Sequence, residues 1–260
     1  MEERKLPMRF TWHDGRPTDC STDCRGWVSA IGVVDADSVK AFEDLARDHD
    51  LRGATVVLDS GGGSVLDAIT LGRRFRTLEM STAVGTAVKM PPSAGVPAHT
   101  GIVPNAYCES MCVFLLLSGV HRYAPPEARV RVHQIWMGDR AEDARAANYS
   151  ADDVTIIERD IGRLAHYTFD MGGSGELLGM ALSVPPWDPL RELSDGELRR
   201  TNVVNTDLLS DVLPGAIVAP LPAVALSVPK SQARVTVETS RTAEAKAPTG
   251  GASLDVEVKK

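Results

Sequence analysis

Two short segments of the chain carry residue types that together could form the site of a serine hydrolase. The first is residues 60–65 (SGGGSV), which follow an apolar run, and the second is residues 108–112 (CESMC), which precede one. An isolated serine is a poor nucleophile, so a serine enzyme needs a base that takes its proton and backbone N–H donors for the developing oxyanion. Ser110 offers the nucleophile, His133 the base and the glycines the donors.

Three consecutive glycines, Gly61, Gly62 and Gly63, directly follow the apolar run at 54–58. Glycine lets the backbone turn sharply with its N–H groups free to point at a ligand oxygen. Besides an oxyanion loop, two other interpretations of these glycines are possible. A plain turn is the commoner role of such glycines, and the other is a phosphate-binding loop. Nucleotide binding is disfavoured, because the phosphate-loop lysine and the G-x-G-x-x-G spacing are both missing.

Ser110 comes just before an apolar stretch, and residues 108–117 are predicted to form a buried helix. The dipole and the unpaired N–H groups of a helix N-terminus favour negative charge, so the N–H of Met111 is a predicted oxyanion donor. The alternative is that Ser110 only caps the helix, which is a common role for serine. His133 lies in a predicted strand over 129–135, where a lone histidine is usually structural.

These segments, in this order, resemble the Clp protease/crotonase superfamily, specifically the Clp proteolytic subunit and its bacterial relatives described as periplasmic ClpP-like proteins. The similarity runs from about residue 27 to residue 205. It rests on residues 60–65, on residues 108–112 and, most specifically, on residues 118–126 (SGVHRYAPP) followed by residues 133–134 (HQ). Gly61 replaces a proline of the family's loop, and the cysteines beside the nucleophile are typical of the periplasmic relatives.

The resemblance implies an α/β fold, built as a ClpP/crotonase-like spiral of β-β-α units with a mainly parallel sheet. It implies that Ser110 attacks the substrate and that His133 accepts its proton. It also implies that the N–H groups of Gly63 and Met111 form the oxyanion hole. No cofactor is expected.

The third member of the implied triad is a carboxylate that orients the imidazole and stabilises its charged form. In the family it comes before a short helix, and here the matching segment makes Asp188 the first candidate, with Asp170 and Asp195 behind it. The spacing of Asp188 from that helix differs from the family's. Related peptidases use a Ser-Lys dyad instead, which is disfavoured because Lys89 is the one lysine in the core of the chain.

The implied function is that of an ATP-independent serine peptidase or peptidase-like hydrolase, which cleaves peptide bonds through an acyl-enzyme. Its expected partners are a peptide or protein substrate and further copies of itself in a homo-oligomer. Two alternatives stay open: a catalytically silent binding or scaffold protein of the same fold, and a crotonase-like enzyme that handles acyl-CoA.

The chain is predicted to contain one domain over residues 25–212. Residues 1–24 are polar and turn-rich and are expected to form an N-terminal arm. Residues 213–260 are expected to be an extension, disordered after about 229 because large apolar residues are few there. Residues 91–105 are predicted to form a loop, either at the substrate entrance or as a plain surface insertion.

Strands are predicted over 26–34, 54–58 and 82–88, and helices follow the first two. Cap residues precede apolar residues at helical spacing in the first helix, and a longer amphipathic helix is predicted over 151–171. Alternating strands and helices favour a parallel sheet with right-handed crossovers.

Composition bounds the function further. The 260 residues carry a net charge of −7 with Lys and Arg scattered, so nucleic acid is not an expected partner. The longest apolar runs, such as 113–117, are far shorter than the roughly 20 residues of a membrane span. No secretory leader is recognised, which predicts a cytoplasmic protein, whereas the resemblance implies a periplasmic one.

Four cysteines form two C-x3-C pairs, Cys20/Cys24 and Cys108/Cys112. They are consistent with disulfides within or between the pairs, with a zinc site, or with packing of small apolar side chains. A zinc site is the least supported of these interpretations, because Cys108 and Cys112 are predicted on a helix rather than on tight turns. No metal site is expected.

Overall fold

The computed structural model describes residues 3–15, 26–92, 98–137, 148–216 and 218–219. The strands are β1 Arg9–His13, β2 Trp27–Ile31, β3 Thr55–Asp59, β4 Ser81–Val84, β5 Thr86–Met90, β6 His99–Val103, β7 Tyr107–Glu109, β8 Arg122–Tyr123, β9 Arg129–Val132 and β10 Arg191–Glu192. The helices are α1 Ala36–Asp48, α2 Val65–Thr77, α3 Met111–Leu117, α4 Ala151–Asp170, α5 Gly175–Leu182, α6 Asp195–Arg200 and α7 Leu209–Val212.

The largest sheet has the strand order β1-β2-β3-β4-β8, in which only the β1–β2 pair is antiparallel. A second sheet has the order β10-β9-β7, with β9 and β7 parallel and β10 antiparallel to β9. Every residue of β3 is buried, which explains why its sequence TVVLD lacks an alternating polar pattern. The predicted α/β class with a largely parallel sheet is confirmed at this level.

Caps and buried faces position the helices. The side chain of Asp35 accepts from the N–H of Ser38, and the Ser38 side chain caps in return, so α1 begins where the sequence predicts. Helix α2 begins directly after the glycine loop with Ser64 as its cap. All residues of α3 are buried, and α3 packs against α2 in the main core. The end of the glycine loop is therefore held beside the start of α3.

The prediction of an N-terminal arm over residues 1–24 is wrong for residues 9–13, which form β1. Strand β1 pairs with β2 over its whole length, from Arg9 opposite Ile31 to His13 opposite Trp27. At the other end, Leu213 and Ala219 are buried, so the folded part continues past the predicted boundary at 212. Both boundaries depend on packing against distant residues, which local composition does not report. The predicted disorder after about 229 lies outside the described residues.

Two further elements differ from the predictions. The predicted strand over 82–88 is divided between β4 and β5 at Gly85, where a Cβ would lie 2.6 Å from the Ile102 side chain. The predicted loop over 91–105 contains β6, which pairs antiparallel with β5. The chain leaves the main sheet at Gly85, and β5 forms an antiparallel pair with β6. The sequence predicted one strand here because residues on both sides of Gly85 favour strands.

Candidate active site

Ser110 lies in a sharp turn between β7 and α3. Its backbone angles are φ 56° and ψ −122°, a conformation that residues with a side chain rarely adopt and that costs about 1–3 kcal/mol. The N–H of Ser110 donates to the carbonyl of Arg131 over 2.8 Å, and its own carbonyl accepts from Val113. A strained strand-to-helix turn is one arrangement by which serine hydrolases expose a nucleophile.

The capping alternative for Ser110 is wrong. Its side chain makes no capping hydrogen bond at the start of α3, whereas Ser64, Ser150 and Ser194 each accept from the third residue of the helix that follows. No capping hydrogen bond from the Ser110 side chain therefore offsets the free-energy cost of this backbone conformation. The half-buried Ser110 side chain instead lines a cavity.

The predicted helix over 108–117 is corrected as well, because Cys108 belongs to β7 and the helix begins at Met111. This strand-to-helix change brings the Cα atoms of Cys108 and Cys112 to 5.1 Å, and a disulfide joins them. Of the readings left open by the sequence, the disulfide within the pair is the one found. Cys20 and Cys24 lie outside the described residues.

His133 reaches the same cavity from the neighbouring strand. Strands β7 and β9 are parallel, with Glu109 opposite Arg131. Strand β7 ends at Glu109 and strand β9 ends at Val132. The predicted strand over 129–135 is shorter than expected and ends at Val132, so His133 is the first residue after β9. Residues at the carboxyl ends of adjacent parallel strands are thereby brought to one site.

Burial lowers the pKa of His133 below its usual value, and the backbone of Gln134 and the charge of Glu109 oppose part of this shift. The imidazole is therefore neutral near pH 7, which is the form that can accept a proton. The next residue, Gln134, donates its N–H to the carbonyl of Val184 over 3.0 Å and fixes the chain at this point.

The glycine loop packs directly on the Ser110 turn. Gly62 has φ 95°, and a Cβ there would lie 2.7 Å from the Ser110 Cβ. Gly63 has φ 131°, and a Cβ there would lie 2.1 Å from the carbonyl oxygen of Val34. Within the described part of the chain, neither the N–H of Gly63 nor that of Met111 donates a hydrogen bond. Both predicted oxyanion donors line the cavity and remain available.

The structure does not bring Asp188 to His133. Asp188 is exposed, its N–H donates to the carbonyl of Pro185, and it is not among the described residues that line the cavity. In the antiparallel β9–β10 pair, Arg191 lies opposite Val132. If this register continued by one residue, Leu190 would stand across from His133.

The two other carboxylates considered from the sequence have other surroundings. Asp170 is paired with Arg73 and His166 on the surface, and Asp195 is the exposed first residue of α6. Glu109, which lies within CESMC and was not selected from the sequence, is a carboxylate whose charge raises the pKa of His133. Its oxygens accept from Arg4 at 2.6 Å and from Arg131 at 3.2 Å, so it is neutralised by two cations.

The cavity at this site has a volume of about 650 Å³. Its walls are mainly apolar and come from α2, α3, α4, α5 and the segment after β9: Val65, Leu66, Phe114, Ile135, Trp136, Met137, Ile156, Ile157, Leu164, Leu178, Ala181 and Leu182. Asp160 is the one acidic side chain among the described lining residues, which include no lysine or arginine. The sequence analysis did not predict Asp160 as a site residue, because its position in the sequence is typical of the polar face of an amphipathic helix.

Other kinds of site find less support in the described residues. They contain no group of three or more His, Cys, Asp or Glu placed to hold a metal ion. None of their helices is long and apolar enough to cross a membrane. Lys89 lies on β5 and does not line the cavity that holds Ser110, in keeping with the disfavoured Ser-Lys dyad.

No protein-family model matches this sequence, and no curated protein matches it. The geometry of the site therefore carries the functional argument. That geometry joins a strained, uncapped serine, a neutral histidine and two unengaged N–H donors around one apolar cavity.

Proposed function

We propose that this protein is an ATP-independent serine peptidase or peptidase-like hydrolase that acts through an acyl-enzyme on Ser110. The observation that carries the proposal is the backbone of Ser110, which is strained and uncapped in a cavity shared with His133. The proposal includes the finer fold, a ClpP/crotonase-like spiral of β-β-α units, and assembly into a homo-oligomer.

In the proposed reaction, the Ser110 Oγ attacks the carbonyl carbon of the scissile bond while the His133 imidazole takes the hydroxyl proton. The N–H groups of Gly63 and Met111 donate to the oxyanion that forms. The imidazolium then gives the proton to the leaving amine, and the C–N bond breaks. Water, deprotonated by the same imidazole, hydrolyses the ester on Ser110 and restores the free enzyme.

The histidine works here without the predicted aspartate. Burial lowers the pKa of His133 and keeps its imidazole neutral. The imidazole can therefore accept a proton without a carboxylate partner. Stabilisation of the imidazolium then depends on the Glu109 charge, which two arginines reduce. A Ser110–His133 dyad of modest turnover is the form of the mechanism that this site supports.

The cavity indicates the part of the substrate that it holds. Its apolar walls suit an aliphatic or aromatic side chain of a peptide, whose burial is favourable. The acyl-CoA alternative is less supported, because the described lining residues include no lysine or arginine to pair with phosphates. The silent scaffold is the second candidate, favoured by the position of Asp188 away from His133.

The test is labelling by a fluorophosphonate serine probe, followed by intact mass and peptide mapping of the full chain. We expect one adduct, on Ser110, which is absent in Ser110→Ala and much slower to form in His133→Ala. Ser183→Ala, which changes an exposed serine outside the cavity, should label like the wild type. A protein that folds but takes no adduct would overturn the proposal and favour the silent scaffold.

A further inference from the structure

The Cys108–Cys112 disulfide surrounds the strained turn of Ser110. Cys108 is the central residue of β7, and Cys112 is the second residue of α3. The bond between them closes a small ring, of which Ser110 is the middle residue. The cross-link therefore joins the strand before the nucleophile to the helix after it.

The backbone of the turn has other restraints, on both sides of Ser110. Before it, the N–H of Glu109 donates to Ser60 and that of Ser110 donates to Arg131. After it, the N–H of Met111 has no protein acceptor among the described residues. The ψ angle of Ser110 sets the direction of that N–H, and its peptide unit is held by the hydrogen bond from the Val113 N–H to the Ser110 carbonyl. The disulfide is a second restraint, because it fixes the start of α3 relative to β7.

We propose that the Cys108–Cys112 disulfide is a positioning element for Ser110 and the Met111 N–H, so that the protein loses most of its activity when the disulfide is reduced. The inference rests on the proposed function. A non-glycine residue at positive φ persists only where the surroundings over-determine it. When the ring opens, the turn can relax towards an ordinary helix start, which displaces the nucleophile and the oxyanion donor together.

Reduction should leave the fold in place. Both cysteines are fully buried in the main core, where reduced cysteine packs as a small apolar side chain. The step needs a dithiol reductant: the S–S bond of the protein breaks, each sulfur gains one electron and one proton, and the dithiol closes to its own disulfide. An oxidising compartment would keep the enzyme active, in line with the periplasmic expectation.

The experiment measures the rate of fluorophosphonate labelling at Ser110 against probe concentration. It compares the oxidised protein, the protein reduced by dithiothreitol in urea and refolded with the reductant present, and Cys108→Ala/Cys112→Ala, each with circular dichroism as a check of folding. We expect the maximal labelling rate to fall about 10- to 100-fold with little change in the half-saturating probe concentration, since displacement of reacting groups costs rates of this order. Reoxidation of the reduced wild type should restore the rate.

Cys20→Ser/Cys24→Ser is the matched control, because it removes the other pair of cysteines. This variant should respond to reduction as the wild type does. If Cys108→Ala/Cys112→Ala fails to fold, the reduction time course of the wild type decides, with the fraction of reduced Cys108 and the labelling rate measured on the same sample.

The possible results separate the two proposals. Reduced, folded protein that labels as fast as oxidised protein would overturn the positioning role and leave the proposed function intact. Oxidised, folded protein that does not label at all would overturn the proposed function, and the inference with it.

Discussion

At the scale of single residues, His133 should give labelling a pH dependence set by its burial. Because burial lowers the pKa of His133, the imidazole stays neutral to a lower pH than an exposed histidine would. Labelling should therefore lose half of its maximal rate at a pH below 6.5, the ordinary value for histidine, as the base becomes protonated. The measurement is the labelling rate of the folded protein from pH 4.5 to 8.5.

Glu109→Gln supplies the matched variant for this pH profile. The charge of Glu109 raises the pKa of His133, so its removal should move the midpoint to still lower pH. A midpoint above 6.5 in the wild type, or an upward move in the variant, would contradict the assignment of His133 as the base.

Asp188 offers a direct test of dyad against triad. Because Asp188 is exposed and away from the cavity, Asp188→Asn should label within about twofold of the wild type. Loss of the orienting aspartate of a working triad costs about 10⁴-fold in turnover. A loss of that size in Asp188→Asn would restore the triad predicted from the sequence, with Ser110→Ala as the reference for complete loss.

Gly63 should tolerate no side chain. In Gly63→Ala the Cβ would lie 2.1 Å from the Val34 carbonyl oxygen at a positive φ, so we expect a loss of about 2–3 kcal/mol in the free energy of unfolding. Gly162→Ala is the control, since that helical position has open space around it and should gain up to about 1 kcal/mol. Urea unfolding measures both, and equal stabilities would contradict the described loop.

At the scale of elements, helix α3 is held at its carboxyl end by a half-buried arginine. Arg76, on α2, donates to the carbonyls of Ser118 at 2.7 Å and of Leu117 and Gly119 at 3.2 Å. These carbonyls form the negative end of the helix dipole. The helix that begins at the Ser110 turn is thus anchored at its opposite end by a charge.

Arg76→Met keeps much of the side-chain volume but removes these donors. Because hydrogen bonds from a charged group are worth about 1.5–3 kcal/mol each and part of the loss is recovered by water, we expect a loss of about 3 kcal/mol in the free energy of unfolding. Arg73→Met on the same helix removes only an exposed ion pair with Asp170 and should cost no more than about 1 kcal/mol. Similar losses in the two variants would remove the anchoring role of Arg76.

At the scale of the whole molecule, three aromatic rings join the N-terminal strand to the core. Phe10 on β1 contacts Phe42 with ring centroids 5.4 Å apart, and Phe42 contacts Phe75 at 4.9 Å. Phe42 and Phe75 are fully buried. Residues 9–13 therefore contribute to the stability of the domain rather than extending from it as an arm.

A double-mutant cycle tests this attachment. Phe42→Ala should cost about 3–5 kcal/mol in the free energy of unfolding, and its coupling with Phe10→Ala should be about 0.5–1.5 kcal/mol. Phe10 and Phe114, whose rings do not contact each other in the described residues, serve as the uncoupled pair. A Phe10–Phe42 coupling near zero would mean that β1 is not packed as described.

Local chemistry explains which features could be predicted from the sequence. The buried strand at Thr55–Asp59, the capping box at Asp35 and the helix over Ala151–Asp170 each depend on residues within a few positions of one another. The same holds for the turn at the glycine loop, whereas Ser110 and His133 were selected from the order of several segments and their resemblance to a family. Propensity, capping and apolar periodicity act over this range.

The remaining features depend on residues that meet only in the folded chain. Cys108 pairs with Val130 in β9, and this strand pairing decides that it extends rather than starting a helix, which in turn allows the disulfide. The β7–β9 pairing brings His133 to the cavity of Ser110, whereas Asp188 is exposed and does not line that cavity. The sequence by itself determined which residues are candidates for the site, whereas tertiary packing decided their conformation, burial and partners, because these depend on long-range contacts.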